Sequence, residues 1–213
     1  MEIASFLAIS FFLILVKSMN RFYSVILLVL LTGFSTRSDR AEDFSVKIIN
    51  NSTLHIYGTT NVNTFNCVLN FENVNSIVQT SYTLRNNRLF FENTELKLDN
   101  SCFDCGNNMM NKDFLEMLDS DNHPYITFQL KEVVVNPKQK DEIYAFASIT
   151  LAGKTKLYSI PLTLKKIESI KAVGCLSIKL TDFELEPPKK VLGLIVVNDE
   201  IDINFDLNVQ ALR

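Results

Sequence analysis

A chain of 213 residues, 47% of them hydrophobic, has enough apolar material for one ordinary domain with a sizeable core. Its net charge is only −3, and its 21 basic residues are scattered. A nucleic-acid binder would show a basic stripe, so that class is excluded.

The first apolar material lies at the amino terminus. Two runs, Phe6–Val16 and Phe22–Leu31, are each too short to span a bilayer comfortably. Met19-Asn20-Arg21 sets a start residue and a positive charge directly before the second run, and Gly33 and Ser35 supply a cleavage zone. Residues 1–35 therefore read as a signal or targeting region, with translation starting at Met19, and residues 36–213 as the exported, soluble domain. A two-helix membrane anchor is the alternative. No Cys lies near the cleavage zone, which argues against a lipid-anchored lipoprotein.

From Asp43 onward apolar residues recur with period two, the mark of half-buried strands. Phe65, Cys67, Leu69 and Phe71 alternate with Asn66, Val68 and Asn70. One segment alone has helical spacing, with Phe114, Met117 and Leu118 on one face and Asn111 or Asp113 placed to cap its start. Ile126, Phe128 and Leu130 then alternate with Thr127, Gln129 and Lys131. Tyr144 and Phe146 interleave with Ile143, Ala145 and Ala147, giving a strand apolar on both faces. Leu176, Ile178 and Leu180 alternate with Ser177, Lys179 and Thr181. Last, Ile201, Ile203, Phe205, Leu207 and Val209 alternate with Asp202, Asn204, Asp206 and Asn208. Turn signals stand between the runs at Asn50-Asn51, Tyr57-Gly58, Asn86-Asn87, Asn136-Pro137, Ala152-Gly153 and Pro187-Pro188. Many short strands with one helix point to an all-β barrel or sandwich, and the pattern alone leaves both open.

Little here has the form of catalytic equipment. Cys102-Phe103-Asp104-Cys105 has the spacing of a redox or zinc half-site, but its antiparallel surroundings lack the βαβ setting of the first and a second ligand pair for the other. In an oxidising compartment Cys67, Cys102, Cys105 and Cys175 are disulfide candidates with three connectivities. Cys67–Cys105 is the first expectation, because Cys67 lies on the apolar face of an early strand and Cys105 feeds the helix. His55 and His123 are the only histidines, and no Ser-His-Asp-like set accompanies them. Asp199, Glu200, Asp202 and Asp206 lack the glycine and spacing of a calcium loop and read as the wet face of the last strand. No catalytic residue, metal or cofactor is expected.

Five segments, in this order, carry a resemblance: YGTTNVNTFNC (Tyr57–Cys67), FDCGNNMMNKDFLEML (Phe103–Leu118), HPYITFQLKEV (His123–Val133), SITLAGKTKLYSIPLTL (Ser148–Leu164) and LSIKLTDFELEPP (Leu176–Pro188). Together they resemble the YceI-like family of periplasmic barrels that hold polyisoprenoids or other long-chain lipids. The resemblance implies an antiparallel, lipocalin-like barrel of about eight strands with one short helix. It also implies a binding protein, periplasmic or secreted, whose partner is a long apolar isoprenoid or fatty-acyl chain. Closing the sheet would turn one face of each strand inward. The side chains expected around the ligand are then Phe65, Leu69, Phe71, Ile126, Phe128, Leu130, Ala147, Ile149, Leu176, Ile178, Ile203 and Phe205. Ala147 stands where the family pattern favours Gly and would leave room beside larger neighbours. The alternative is a barrel filled by its own side chains, a structural or interaction protein that binds a partner through its outer surface.

Overall fold

The structure is a computed structural model that describes residues 42–49, 51–74, 77–135, 143–166, 169–190 and 194–212. The expected targeting region with its Met19 start, and the turn at Asn136-Pro137, lie outside the described residues.

The alternating segments form thirteen strands among the described residues. They are β1 (Glu42–Ile48), β2 (Thr53–Thr60), β3 (Thr64–Leu69), β4 (Ile77–Arg85), β5 (Arg88–Glu92), β6 (Glu95–Asp99) and β7 (Phe103–Asp104), followed by β8 (Tyr125–Val135), β9 (Ile143–Leu151), β10 (Lys154–Lys166), β11 (Ile170–Lys179), β12 (Lys189–Lys190) and β13 (Ile195–Leu212). One helix, α1 (Asn108–Met117), lies between β7 and β8. Every strand pairing is antiparallel, and eight strands close a ring in the order β1-β4-β5-β8-β9-β10-β11-β13, with β13 returning to β1. The fold is thus an all-β antiparallel barrel. Closure leaves no free edge in the ring.

Two long strands carry the rest of the sheet. β13 pairs with β2 from Val197 to Asp206 and then with β1 from Val209 to Leu212. β8 pairs with β6 from Tyr125 to Gln129 and then with β5 from Glu132 to Val134. Each has a register shift, between Val197 and Ile201 in β13 and between Leu130 and Glu132 in β8. In β8 the extra residue lies where pairing passes from β6 to β5 and turns the strand toward its new partner, whereas in β13 the shift falls within the stretch paired with β2. At one level the wall is β1, β4 and β5. At the other it is β2, β3 and β7, joined to β6 by the short 3-10 turn Asn100–Cys102.

Local chemistry explains where the elements reverse. Asn86 and Asn87 (φ 50° and 60°) turn β4 into β5, and Ala152 and Gly153 (φ 44° and 74°) turn β9 into β10. Two consecutive left-handed residues suit the twist of a tight hairpin. Tyr57-Gly58, read above as a turn, instead lies inside β2. Gly58 is opposite Phe65, and a Cβ on it would stand 2.0 Å from that ring's Cζ. The glycine is needed for close approach of a ring, not for chain reversal. Phe71, read as part of a strand with Phe65 and Leu69, falls past the end of β3 in the 3-10 turn Phe71–Asn73. There Asn70 accepts a hydrogen bond from the Glu72 amide and starts the turn.

The helix begins earlier than its apolar face suggested. Asn107, not Asn111 or Asp113, is its cap, with the side-chain oxygen accepting from Met110 N at 3.0 Å. Asn111 fastens the helix elsewhere: its Oδ1 accepts from Cys105 N at 2.6 Å and its Nδ2 donates to Asp104 at 3.2 Å. Cys105 is bonded to Cys67 of β3, and both are buried. The helix is therefore tied to the barrel wall through one disulfide and one side-chain amide. Cys102 and Cys175, the other disulfide candidates, are free. Cys175 lies on the exposed face of β11, and Cys102 sits in the 3-10 turn with its thiol toward Asn73 O at 3.8 Å. Burial, followed by the nearby Asp99 and Asp202 carboxylates respectively, pushes both thiols up, which keeps them protonated and weakly nucleophilic.

The Cys67–Cys105 bond spans 38 residues, and a loop of that size is worth roughly 3–4 kcal/mol in the chain-entropy model. The double substitution Cys67→Ala/Cys105→Ala should lower the urea-unfolding free energy by about that amount. Alkylation of unreduced protein should label Cys102 and Cys175 only; four labelled thiols would contradict the pairing.

Candidate functional site

Inside the ring lies a cavity of about 1050 Å³. All eight ring strands contribute to its wall, together with β2, β3 and the inner face of α1. The alternation of β9 shows how the wall is made: Ile143, Ala145, Ala147, Ile149 and Leu151 are buried, while Tyr144 between them is exposed. The strand has one inward face, rather than two equivalent apolar faces. In β8 the inward series Ile126, Phe128, Leu130 continues as Val133, because the bulge adds one residue and shifts the parity.

Most of the side chains expected at the site do line this cavity. They are Phe65, Phe71, Ile126, Phe128, Leu130, Ile149, Leu176, Ile178, Ile203 and Phe205. Leu69 and Ala147 do not. Leu69 is paired with Phe103 of β7 and is packed in the wall near the disulfide, 3% exposed. Ala147 is wholly buried opposite Leu130 and Tyr158, whose longer side chains flank its single methyl. Its neighbour on the same face, Ala145, reaches the lining instead.

Several wall residues were not singled out from the sequence. Leu207 and Val209 extend the last alternation to the end of the ring, a signal that was present in the pattern. Phe44, Tyr82 and Phe91 form an aromatic set across β1, β4 and β5, with centroids 5.7 Å and 6.2 Å apart in sequence around Tyr82. Met110, Phe114 and Met117 bring the apolar stripe of α1 against the cavity, and Phe114 meets Phe103 at 5.3 Å. Thr80 is a buried hydroxyl on the wall.

Two cross-strand pairs decide how much space remains. Phe65 faces Gly58 and Phe205 faces Gly174. A Cβ on Gly174 would stand 2.5 Å from Cζ of Phe205, as one on Gly58 would from Phe65 at 2.0 Å. Both rings therefore lie down over glycine backbone. Two of the largest wall side chains are folded against the sheet, which leaves the lumen open.

Electrostatically the wall is nearly featureless. Among the described residues Asp113 of α1 is its one acidic side chain, and no Lys, Arg or His lines it. His55 stacks on Tyr57 at 5.7 Å and meets Asn66 through its ring nitrogen at 3.2 Å. His123 accompanies the turn after α1: its amide donates to Asp119 O at 2.8 Å, and its ring lies over Gly153. The acidic residues of β13 pin neighbouring segments: Asp199 accepts from Thr181 N at 2.8 Å in the 3-10 turn after β11, Asp202 accepts from Ser177 of β11, and Asp206 pairs with Lys171 at 2.8 Å. Among the described residues no three metal-ligating side chains come together.

Solved structures share this architecture. The crystal structure of Burkholderia cenocepacia BcnA matches with a TM-score of 0.57 and 19% identity, covering 75% of this chain and 96% of that one. A polyisoprenoid binding domain from Saccharophagus degradans, implicated in plant cell wall breakdown, matches with a TM-score of 0.55 and 13% identity, covering 79% of this chain and 99% of its own. No curated protein matches the chain. The YceI-like domain model matches residues 41–209, well over half of the sequence, and the chain belongs to the YceI-like family.

Proposed function

We propose that this barrel is a binding protein that encloses a long apolar chain, a polyisoprenoid or other lipid tail, with no chemical step. The observation that carries the reading is the cavity itself. Its 1050 Å³ lies at the top of the range of roughly 300–1,000 Å³ usual for sites that bury a small molecule. The cavity opens to solvent over part of its surface, so an apolar chain can enter it and lie against a wall that is almost wholly apolar. Water gains little from so apolar a wall. A chain of methyl and methylene groups gains about 0.8 kcal/mol for each CH₂ removed from water. The polyisoprenoid binding domain of S. degradans, which shares the fold, supports the same class of ligand. The filled-barrel alternative has no comparable observation in its favour.

Export belongs to the same proposal. It is supported by Met19-Asn20-Arg21 ahead of an apolar run and by a buried disulfide, which suits an oxidising compartment.

At a ligand concentration a hundredfold above Kd, geranylgeraniol should raise the melting temperature by about 5–10 °C. Ala145→Phe, which places a ring in the lumen, should abolish most of that shift. Ala147→Phe should instead destabilise the unliganded protein by about 1–3 kcal/mol through overpacking while keeping the shift. A wild-type melting point unmoved by any isoprenoid or fatty-acyl compound would contradict enclosure of a chain.

Sequencing the amino terminus of exported protein should find a start between Ser35 and Ala41. An intact Met1 in the membrane fraction would overturn the export reading.

A further inference from the structure

A wall of apolar side chains accepts apolar ligands in general, and the bore of the lumen decides among them. Along most of the barrel that bore is set by side chains standing in from the sheet. At Gly58 it is set by the lack of one. Gly58 lies in β2 between Ile56 and Thr60, which both line the cavity, so the period of the strand points this position inward as well. Its cross-strand partners are Phe65 of β3 and Ile201 of β13, two further lining residues.

A glycine inside a strand weakens it and calls for a reason. Backbone conformation is not the reason, because φ at Gly58 lies outside the left-handed region. Close approach of main chain is not the reason either. At Gly174, the other wall glycine, a Cβ would meet the Pro161 carbonyl oxygen at 3.0 Å as well as the Phe205 ring. At Gly58 the three nearest atoms all belong to the Phe65 ring, Cζ at 2.0 Å and the two Cε atoms at 2.6 and 2.7 Å. The glycine serves the position of that ring.

Distances show how much bore is at stake. Carbon atoms in contact rest about 3.5–4.0 Å apart. A methyl group on Gly58 would therefore drive the ring tip off the sheet by about 1.5–2 Å. The methyl would point inward, so the ring would move into the lumen. One carbon–carbon bond is roughly 1.5 Å long. The depth that the glycine frees thus matches what a methyl branch adds to the thickness of a chain.

We propose that Gly58 is a specificity-determining position: by letting Phe65 lie against the sheet, it gives the lumen the bore of a methyl-branched, isoprenoid-type chain rather than of an unbranched one. This rests on the chain-binding reading above and adds the thickness of the chain to it.

The test compares hexadecanol with phytanol, which carries methyl branches on the same saturated main chain, each displacing a fluorescent apolar probe from the full-length protein. Each branch methyl that fits is worth about fourfold in affinity, so the wild type should prefer phytanol by at least about tenfold. Gly58→Ala should fold, because the displaced ring enters open space. It should lose at least about fourfold in affinity for phytanol while hexadecanol changes by less than about twofold. Gly58→Ala/Phe65→Leu, which removes the ring tip that the methyl strikes, should restore the wild-type ratio. Equal binding of the two alcohols by the wild type, a ratio unchanged in Gly58→Ala, or a loss that Phe65→Leu does not rescue would overturn the bore and leave chain binding intact. So would a Gly58→Ala protein that does not fold, since the ring would then have no lumen to enter at this level. Failure of both alcohols to displace the probe from the wild type would overturn both readings.

Discussion

Everything in this barrel depends on β13. It pairs with β11 along one edge, and along the other first with β2 and then with β1. The last of these contacts closes the ring. The alternation Ile201, Ile203, Phe205, Leu207, Val209 would make a one-sided strand in any sheet. Only closure turns that side toward seven other strands and makes it the wall of an enclosed space. Because the period is two, a slip of one residue in β13 would put Asp202, Asn204 and Asp206 inside. Register in this one strand is therefore set by a large apolar area, with the Lys171–Asp206 pair and the Ser177–Asp202 bond outside it agreeing.

Closure makes an interior, but a ring of eight strands can equally be filled by its own side chains. What keeps this one open is a matter of particular neighbours. Phe65 and Phe205 each lie over a glycine in the adjacent strand, so two large rings occupy wall thickness rather than lumen. Ala145 and Ala172 are also small where they face inward. At the side of the cavity formed by α1 the apolar stripe of that helix completes the wall. Its attachment through Cys67–Cys105 and Asn111 holds that stripe in place.

The fold was legible wherever periodicity decides. The last strand, the helix stripe, the asparagine and Ala-Gly hairpins and the Cys67–Cys105 pair could all be read from residues in order. What escaped depends on contacts between distant segments. Tyr57-Gly58 has the composition of a turn, and only Phe65 lying across from Gly58 explains a glycine within a strand. Ala147 and Ala145 share one face, and no sequence pattern says that the first is covered while the second meets the lumen. Asn107 and Asn111 are equally good caps by type, and the choice falls to the amide of Cys105, which engages Asn111.

A hollow, ligand-bearing barrel makes one claim that a filled one does not. Native mass spectrometry of the protein purified from its own host should show a species heavier than the polypeptide by the mass of one long apolar molecule. Organic extraction should remove that molecule, and incubation with a polyisoprenoid alcohol should restore a one-to-one complex. A single mass equal to the bare chain, with no uptake when such an alcohol is added, would contradict the enclosed-chain reading directly.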